Sequence, residues 1–256
     1  MTVFVITGAR TGIGRETVLQ LAKIPSNTVV AIVRNLQADL SSLNEIKASS
    51  NGVVHIVECD VSNPDSISQL VTRLAKVLGA DFRVDVLIQY AAILHSREQT
   101  STNLTAESLI SHFVSNTVGP ALVTQSLLPH LVSGAVITNI TSGIGSLKML
   151  TNRQIPAEIT PYSISKTALN MLTVHQACQL GSLASVVIID PGHVKTEMGG
   201  PNAVVEIPDS ARGIIKIVTD LKPEDSGKFL LYNGTQLPCG YLSYGKQTKV
   251  TDIRLW

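Results

Sequence analysis

The sequence predicts an α/β fold, a doubly wound parallel sheet of about seven strands flanked by helices. Two observations carry that prediction. Short β-branched runs recur along the whole chain, and most are apolar on consecutive residues rather than alternating. That is the pattern of strands covered on both faces, as in a parallel sheet. Between the runs lie segments with helical periodicity, and such alternation implies right-handed crossovers between parallel strands.

In chain order, the strand-like runs are residues 3–7 (VFVIT), 28–33 (TVVAIV), 53–59 (VVHIVEC), 84–88 (VDVLI), 135–140 (AVITNI), 185–190 (SVVIID) and 228–232 (KFLLY). The helical segments between them include residues 16–24, 65–78, 120–132 and 166–180. No Pro/Ser-rich linker, charge block or internal repeat divides the chain, so residues 1–256 are read as one domain. The least regular stretches, 143–161 and 196–209, each follow a predicted strand. They fall at the carboxyl edge, where open α/β sheets bind ligands, and are expected to close over a substrate.

Composition narrows the function classes. A net charge of +1 without a basic cluster gives no electrostatic footprint for nucleic acid or an anionic membrane. Aromatic residues make up 4% of the chain, which argues against a stacking platform. Cys59, Cys178 and Cys239 are scattered without metal-ligand spacing and read as reduced, small buried residues. The N-terminal apolar run has no basic flank and is too short to span a membrane. The expectation is a cytoplasmic protein.

The first strand runs straight into Thr7-Gly8-Ala9-Arg10-Thr11-Gly12-Ile13-Gly14, and a helix follows. Glycines here permit a tight turn and let the backbone approach a pyrophosphate at a helix N-terminus, where free N–H groups and the dipole favour negative charge. The alternative is a tight turn alone. Residue 33, at the end of the second strand, is a neutral valine, and Arg34 follows. An acid there would hold the ribose, whereas a cation accommodates a 2′-phosphate, so NADP(H) is expected over NAD. A solvated surface arginine is the alternative for Arg34. Arg10 is placed to add a second positive charge. Asp60, followed by Val61, reads either as an acceptor for the adenine amino group or as a helix cap.

Tyr162 and Lys166, four apart, lie on one face of a predicted helix. Taken with the TGARTGIG loop, Asp60-Val61, Asn116, Ser142 and Pro191-Gly192-His193-Val194-Lys195-Thr196, the pair resembles the short-chain dehydrogenase/reductase superfamily over nearly the whole chain. The segments PGHVKTEMGGPNA and SGKFLLYNGTQLP look more narrowly like the C-factor or sniffer-like carbonyl reductases.

The resemblance implies a Rossmann-like fold and NADP(H) as cofactor. It places Gly8, Arg10, Thr11, Gly12, Ile13 and Gly14 at the phosphates and Arg34, Asp60, Val61 and Ala91 along the adenosine side. Tyr162, Lys166, Pro191, Gly192, Val194 and Thr196 then belong to the nicotinamide side. It makes Tyr162 the general acid on a substrate carbonyl, with Lys166 lowering the phenol's pKa and holding the ribose. Ser142 bonds the substrate oxygen, and Asn116 positions a water leading to Lys166. It also implies a small, fairly apolar carbonyl or alcohol substrate and a homo-oligomer.

Two departures stand out. The family's usual Asn-Asn-Ala-Gly is here Gln89-Tyr90-Ala91-Ala92, and the interval from Ser142 to Tyr162 is long. The histidines have no partner at metal or triad spacing. His95 and His193 read as loop residues near the site, and His55, His112, His130 and His175 as strand or helix surfaces. A non-redox NADP-binding descendant is the competing function. A nucleotide-sugar epimerase, which shares Tyr-x-x-x-Lys, calls for a larger C-terminal region than follows Pro191.

Overall fold

Runs of consecutive β-branched residues favour burial on both faces, and the computed structural model, which describes residues 1–240, buries most of them, while Val53, on an edge strand, stays exposed. The strands are β1 (Thr2–Thr7), β2 (Asn27–Val33), β3 (Val53–Glu58), β4 (Val84–Gln89), β5 (Leu131–Ile140), β6 (Ala184–Asp190) and β7 (Phe229–Leu231). They form one parallel sheet in the order β3-β2-β1-β4-β5-β6-β7. Residues 241–256 of the expected 1–256 unit lie outside the described residues.

Nine helices flank the sheet among the described residues: α1 (Gly12–Ala22), α2 (Ser41–Ser49), α3 (Pro64–Ser68), α4 (Leu70–Leu78), α5 (Ala106–Phe113), α6 (Gly119–Leu127), α7 (Leu147–Thr151), α8 (Thr160–Leu180) and α9 (Ile207–Asp220). Alternate residues of each strand go to opposite faces. Phe4, Ile6, Val29, Ala31 and Ile88 pack with Val18 and Leu21 of α1, Leu43 of α2 and Ile214 of α9. Val5, Val30, Ile32 and Leu87 pack with Leu70 and Leu74 of α4 and Val123 and Leu127 of α6.

The strand order reverses between β1 and β4, so the turns that follow them diverge and leave a crevice at the carboxyl edge. Glycines let these turns approach closely. Gly8 has φ +68°, and a Cβ there would lie 2.6 Å from the Ala91 nitrogen. A Cβ on Gly14 would lie 2.4 Å from the Gly8 carbonyl oxygen, so α1 sits directly on the turn.

Several expectations need correction. The helix expected over 65–78 breaks at Gln69 into α3 and α4. Its cap is Asn63, whose Oδ1 accepts from the Asp65 amide at 2.9 Å, so Asp60 is not the cap. The helix expected over 120–132 stops at Leu127; a 3₁₀ turn, Leu128–His130, containing Pro129 then leads into β5. His112 is fully buried rather than on a surface. Of the cysteines only Cys59 is buried; Cys178 is exposed and Cys239 half-buried.

Between α5 and α6 one turn, Val114–Val118, is π-helical, with the Gly119 amide donating to the Val114 carbonyl. Such single wide turns insert one residue into a helix and rotate what precedes them.

The Gly14 contact fixes the sign of a substitution. Alanine would ordinarily help a helix by up to about 1 kcal/mol. Here its methyl meets backbone, so Gly14→Ala is expected to lower stability by about 1–3 kcal/mol, read as a lower denaturant midpoint. An unchanged or raised midpoint would show that α1 moves off the turn freely.

Candidate active site

The crevice is a cleft of about 1020 Å³ running from β2 across β1 and β4 to β6. At one end stands the N-terminus of α1. Its N-cap residue, Thr11, has an extended backbone and makes no side-chain cap bond, so the first amides carry no side-chain acceptor. Gly8, Arg10, Thr11, Gly12, Ile13 and Gly14 all line the wall here. Gly12 takes φ +56°, and a Cβ there would come within 3.3 Å of Thr196 across the cleft. An uncapped helix start facing a glycine turn fits a phosphate diester.

Beyond the β2 and β3 ends the wall includes Val33, Arg34, Asp60, Val61 and Ala91, the residues expected along an adenosine. No carboxylate ends β2; Arg34 follows it, and Arg10 faces the same cleft. Asp60 Oδ1 accepts from the Ser62 amide at 2.9 Å and from its hydroxyl at 2.7 Å, which holds the carboxylate at the wall.

The other end contains Tyr162 and Lys166 on α8, with Pro191 and Thr196 opposite. Two of the expected residues of this side, Gly192 and Val194, are in the same turn but do not form the wall. Tyr162 is 7% exposed and Lys166 2%, with Nζ lying 5.6 Å from the Tyr162 ring centroid. Lys166 Nζ donates to the Ile140 carbonyl at 2.8 Å. Burial holds its amine at about 7, against an ordinary 10.5, while the Asp190 carboxylate pulls it upward. Burial also pushes the Tyr162 phenol up; Asp190 adds to that rise and Arg97 opposes it.

Ser142 and Asn116 are not part of the wall. Ser142 is half-buried, and its Oγ accepts from the Ile144 amide at 3.3 Å as the cap of a 3₁₀ turn. Asn116, in the π-helical turn, is fully buried. Its Oδ1 accepts from the Ile93 amide at 2.8 Å, and its Nδ2 donates to the Ile93 carbonyl and to Ser165 Oγ, both at 3.0 Å. Asn116 thus pins the turn after β4 to α8.

The wall takes Thr196, Glu197, Met198 and Ile207 from the second irregular stretch and nothing from 143–161. That first stretch folds back on α8, where the Gly145 carbonyl accepts from Thr167 Oγ1 and Asn170 Nδ2, each at 3.1 Å.

Several residues here were not singled out in the sequence. Ile93, Leu94 and Met198 give the Tyr162 end an apolar lining, and Arg97 donates to the Met198 carbonyl there. His95, read from the sequence as a loop residue near the site, lines the same end and packs against His112, ring centroids 4.2 Å apart. Asp190 ends β6 beside Lys166. Its one legible signal was a charged residue terminating an apolar strand at the carboxyl edge. Gln89 Nε2 donates to Asn139, Thr124 and Pro120, and Tyr90 hydrogen-bonds Thr17 at 2.8 Å. The two large side chains of the first departure are thus absorbed into packing.

A glycine turn at a sheet switch point, with a buried tyrosine and lysine one helical turn apart, defines a nucleotide-binding α/β protein of the Tyr-x-x-x-Lys type. Residues 2–204 match the short chain dehydrogenase family, and the chain belongs to it. Within it, the chain lies with the C-factor and sniffer-like carbonyl reductases. It is 40% identical to the C-signal protein of Myxococcus xanthus over 129 residues, covering 49% of this chain and 75% of that one. The NADPH-bound carbonyl reductase from chicken fatty liver superposes with a TM-score of 0.84 at 29% identity, covering 93% of this chain and 94% of that one. For the carbonyl reductase Sniffer of D. melanogaster the TM-score is 0.83 at 27% identity, covering 93% and 98%.

Among the described residues no helix is long and apolar enough to cross a membrane, and no group of three or more His, Cys, Asp or Glu is placed to hold a metal ion.

The buried amine has a stability consequence. Folding disfavours the charged form, a cost that is absent above about pH 10.5, grows as pH falls, and is complete below about 7. Lys166→Met should therefore raise the melting temperature at pH 6, by roughly 5 °C. The gain should shrink steadily towards pH 10. An equal gain at both pH values would place its origin elsewhere than the buried charge.

Proposed function

We propose that the protein is an NADPH-dependent reductase of ketones or aldehydes on small, fairly apolar molecules. The observation that carries this reading is the placement of Tyr162 and Lys166, both nearly buried, in the wall of one cleft with the α1 N-terminus. When bound, NADPH supplies the hydride. The chain's residues do the rest. The α1 amides and Arg10 hold the phosphates, Arg34 the 2′-phosphate, and Asp60, Val61 and Ala91 the adenosine. Lys166 and the Pro191–Thr196 turn hold the nicotinamide side, and Ile93, Leu94 and Met198 exclude water around the carbonyl. Tyr162 Oη donates its proton to the carbonyl oxygen, and Lys166, when charged, makes that phenol a stronger acid. Ser142 is assigned to the substrate oxygen. Asn116 is assigned to a water path to Lys166, besides its hold on Ile93 and Ser165.

The same proposal covers the whole chain as one NADP-binding domain in the cytoplasm, assembled as a homo-oligomer. Exposed apolar side chains support the assembly: Ile110 and Phe113 on α5, and Ile164, Met171 and Val174 on α8, two helices that pack together. A non-redox NADP-binding protein is the second reading, favoured by the absence of Ser142 from the cleft wall.

Tyr162→Phe separates the two readings. It keeps the ring and removes the acid, so single-turnover oxidation of bound NADPH by an accepted carbonyl should slow by about 10²–10⁴-fold. NADPH binding should survive. Turnover at the wild-type rate would sink the redox mechanism.

Cofactor choice tests Arg34. A charge-assisted contact is worth about 1.5–3 kcal/mol, so fluorescence titration should show NADPH binding one to two decades tighter than NADH. Arg34→Ala should erase most of that preference and leave NADH binding nearly unchanged. Equal affinities in the wild type would remove Arg34 from the role.

A further inference from the structure

From Val186 to Ile189 β6 is apolar, and its last residue, Asp190, is a carboxylate. Asp190 Oδ2 accepts from the Gly143 amide at 2.7 Å, and Oδ1 accepts from the Gly192 amide at 2.8 Å. Gly143 begins the turn after Ser142, and Gly192 belongs to the turn that starts with Pro191. One side chain therefore ties together the two backbone turns that leave β5 and β6. Neither is free to move alone. Gly143 fits closely against it, since a Cβ there would lie 3.0 Å from Asp190 Oδ2.

The same carboxylate acts by its charge on Tyr162 and Lys166 of α8. His193, from the turn that follows β6, lies near it as well. Arg97, in the stretch after β4, acts on Tyr162 in the opposite sense. Lys166 Nζ donates to the carbonyl of Ile140, which is in register with Ile189, so Asp190, the next residue, is the acid whose charge acts on the amine, without a direct ion pair.

We propose that Asp190 is a positioning residue of the reductase site, clasping the Ser142 and Pro191 turns and serving as counter-charge to Lys166. This rests on the reductase reading above. The two duties are separable. The clasp needs acceptor oxygens at the right reach, whereas the counter-charge needs only a negative charge near Lys166.

Burial opposes the charged lysine and Asp190 supports it, so removing the negative charge lets Lys166 lose its proton at lower pH. It also makes Tyr162 easier to ionise, a shift in the same direction. Asp190→Asn keeps one acceptor and removes the charge. Asp190→Glu keeps the charge and disturbs the reach.

The experiment follows kcat/KM for an accepted carbonyl, and separately the NADPH dissociation constant by fluorescence, from pH 5 to 10 in each variant. Asp190→Asn is expected to move the inflections of both profiles down by about one pH unit. Asp190→Glu should leave the inflections in place while kcat falls. Asp190→Ser, an uncharged acceptor, takes the place of the asparagine variant should that one fail to fold. Wild-type inflections in a folded, uncharged variant, or the same displacement in Asp190→Glu as in Asp190→Asn, would overturn the proposal. A wild-type protein that reduces no carbonyl would instead count against the reductase reading, and the binding profile would still test the counter-charge.

Discussion

Lys166 sits where the carboxyl ends of β5 and β6 meet α8, and almost none of it is reached by water. A buried amine favours its neutral form, while the chemistry assigned to the site needs an ammonium. The surrounding architecture answers that conflict. The Ile140 carbonyl gives the amine an acceptor, and Asp190 gives it a nearby negative charge. The glycine turn at 143–145 packs so tightly on this helix that a Cβ at Gly145 would lie 2.9 Å from the Lys166 carbonyl carbon. Water is thereby kept away from the lysine stem. The fold thus carries a destabilising group at its centre, the usual relation between a working site and the stability around it.

The sequence showed the strands well because most are buried on both faces, and continuous β-branched runs such as residues 186–189 have few other meanings. Tyr162 and Lys166 were legible because their shared helical face came with the glycine loop and the Pro191–Thr196 segment in the family's order. The glycine turn was legible because its three glycines open the first strand–helix unit. Where the reading failed, the cause was tertiary. Nothing local marks Gln69 as a break, since the split between α3 and α4 leaves the helical periodicity almost intact. His112 looks like a surface residue until α8 covers it and Tyr162 comes edge-on to its ring at 6.3 Å. Asp190 gains meaning only once two distant amides converge on its carboxylate.

Gln89 and Tyr90 show how a departure from a family's usual residues can be taken up by the scaffold. Gln89 extends a buried chain of amides and hydroxyls: it donates to Asn139, which in turn donates to Thr173 and Gln176 of α8. Its Oε1 has no partner, so the network carries one unsatisfied acceptor. Tyr90 directs its hydroxyl to Thr17 of α1, and burial pushes that phenol's pKa up, well away from ionisation. Both side chains connect the strand beside the cleft to the helices that cover it.

The wide turn at Val114–Val118 sets the angular phase of everything before it. An α-helix advances about 100° per residue, so the one extra residue there turns α5 by that angle relative to α6. With it go Ser115, which faces the cleft, and His112, which lies under Tyr162. A chain shortened by one residue at this turn would regain regular helical hydrogen bonds yet swing those two side chains round the helix axis. An irregularity that weakens the helix locally thus works as the dial that aims it.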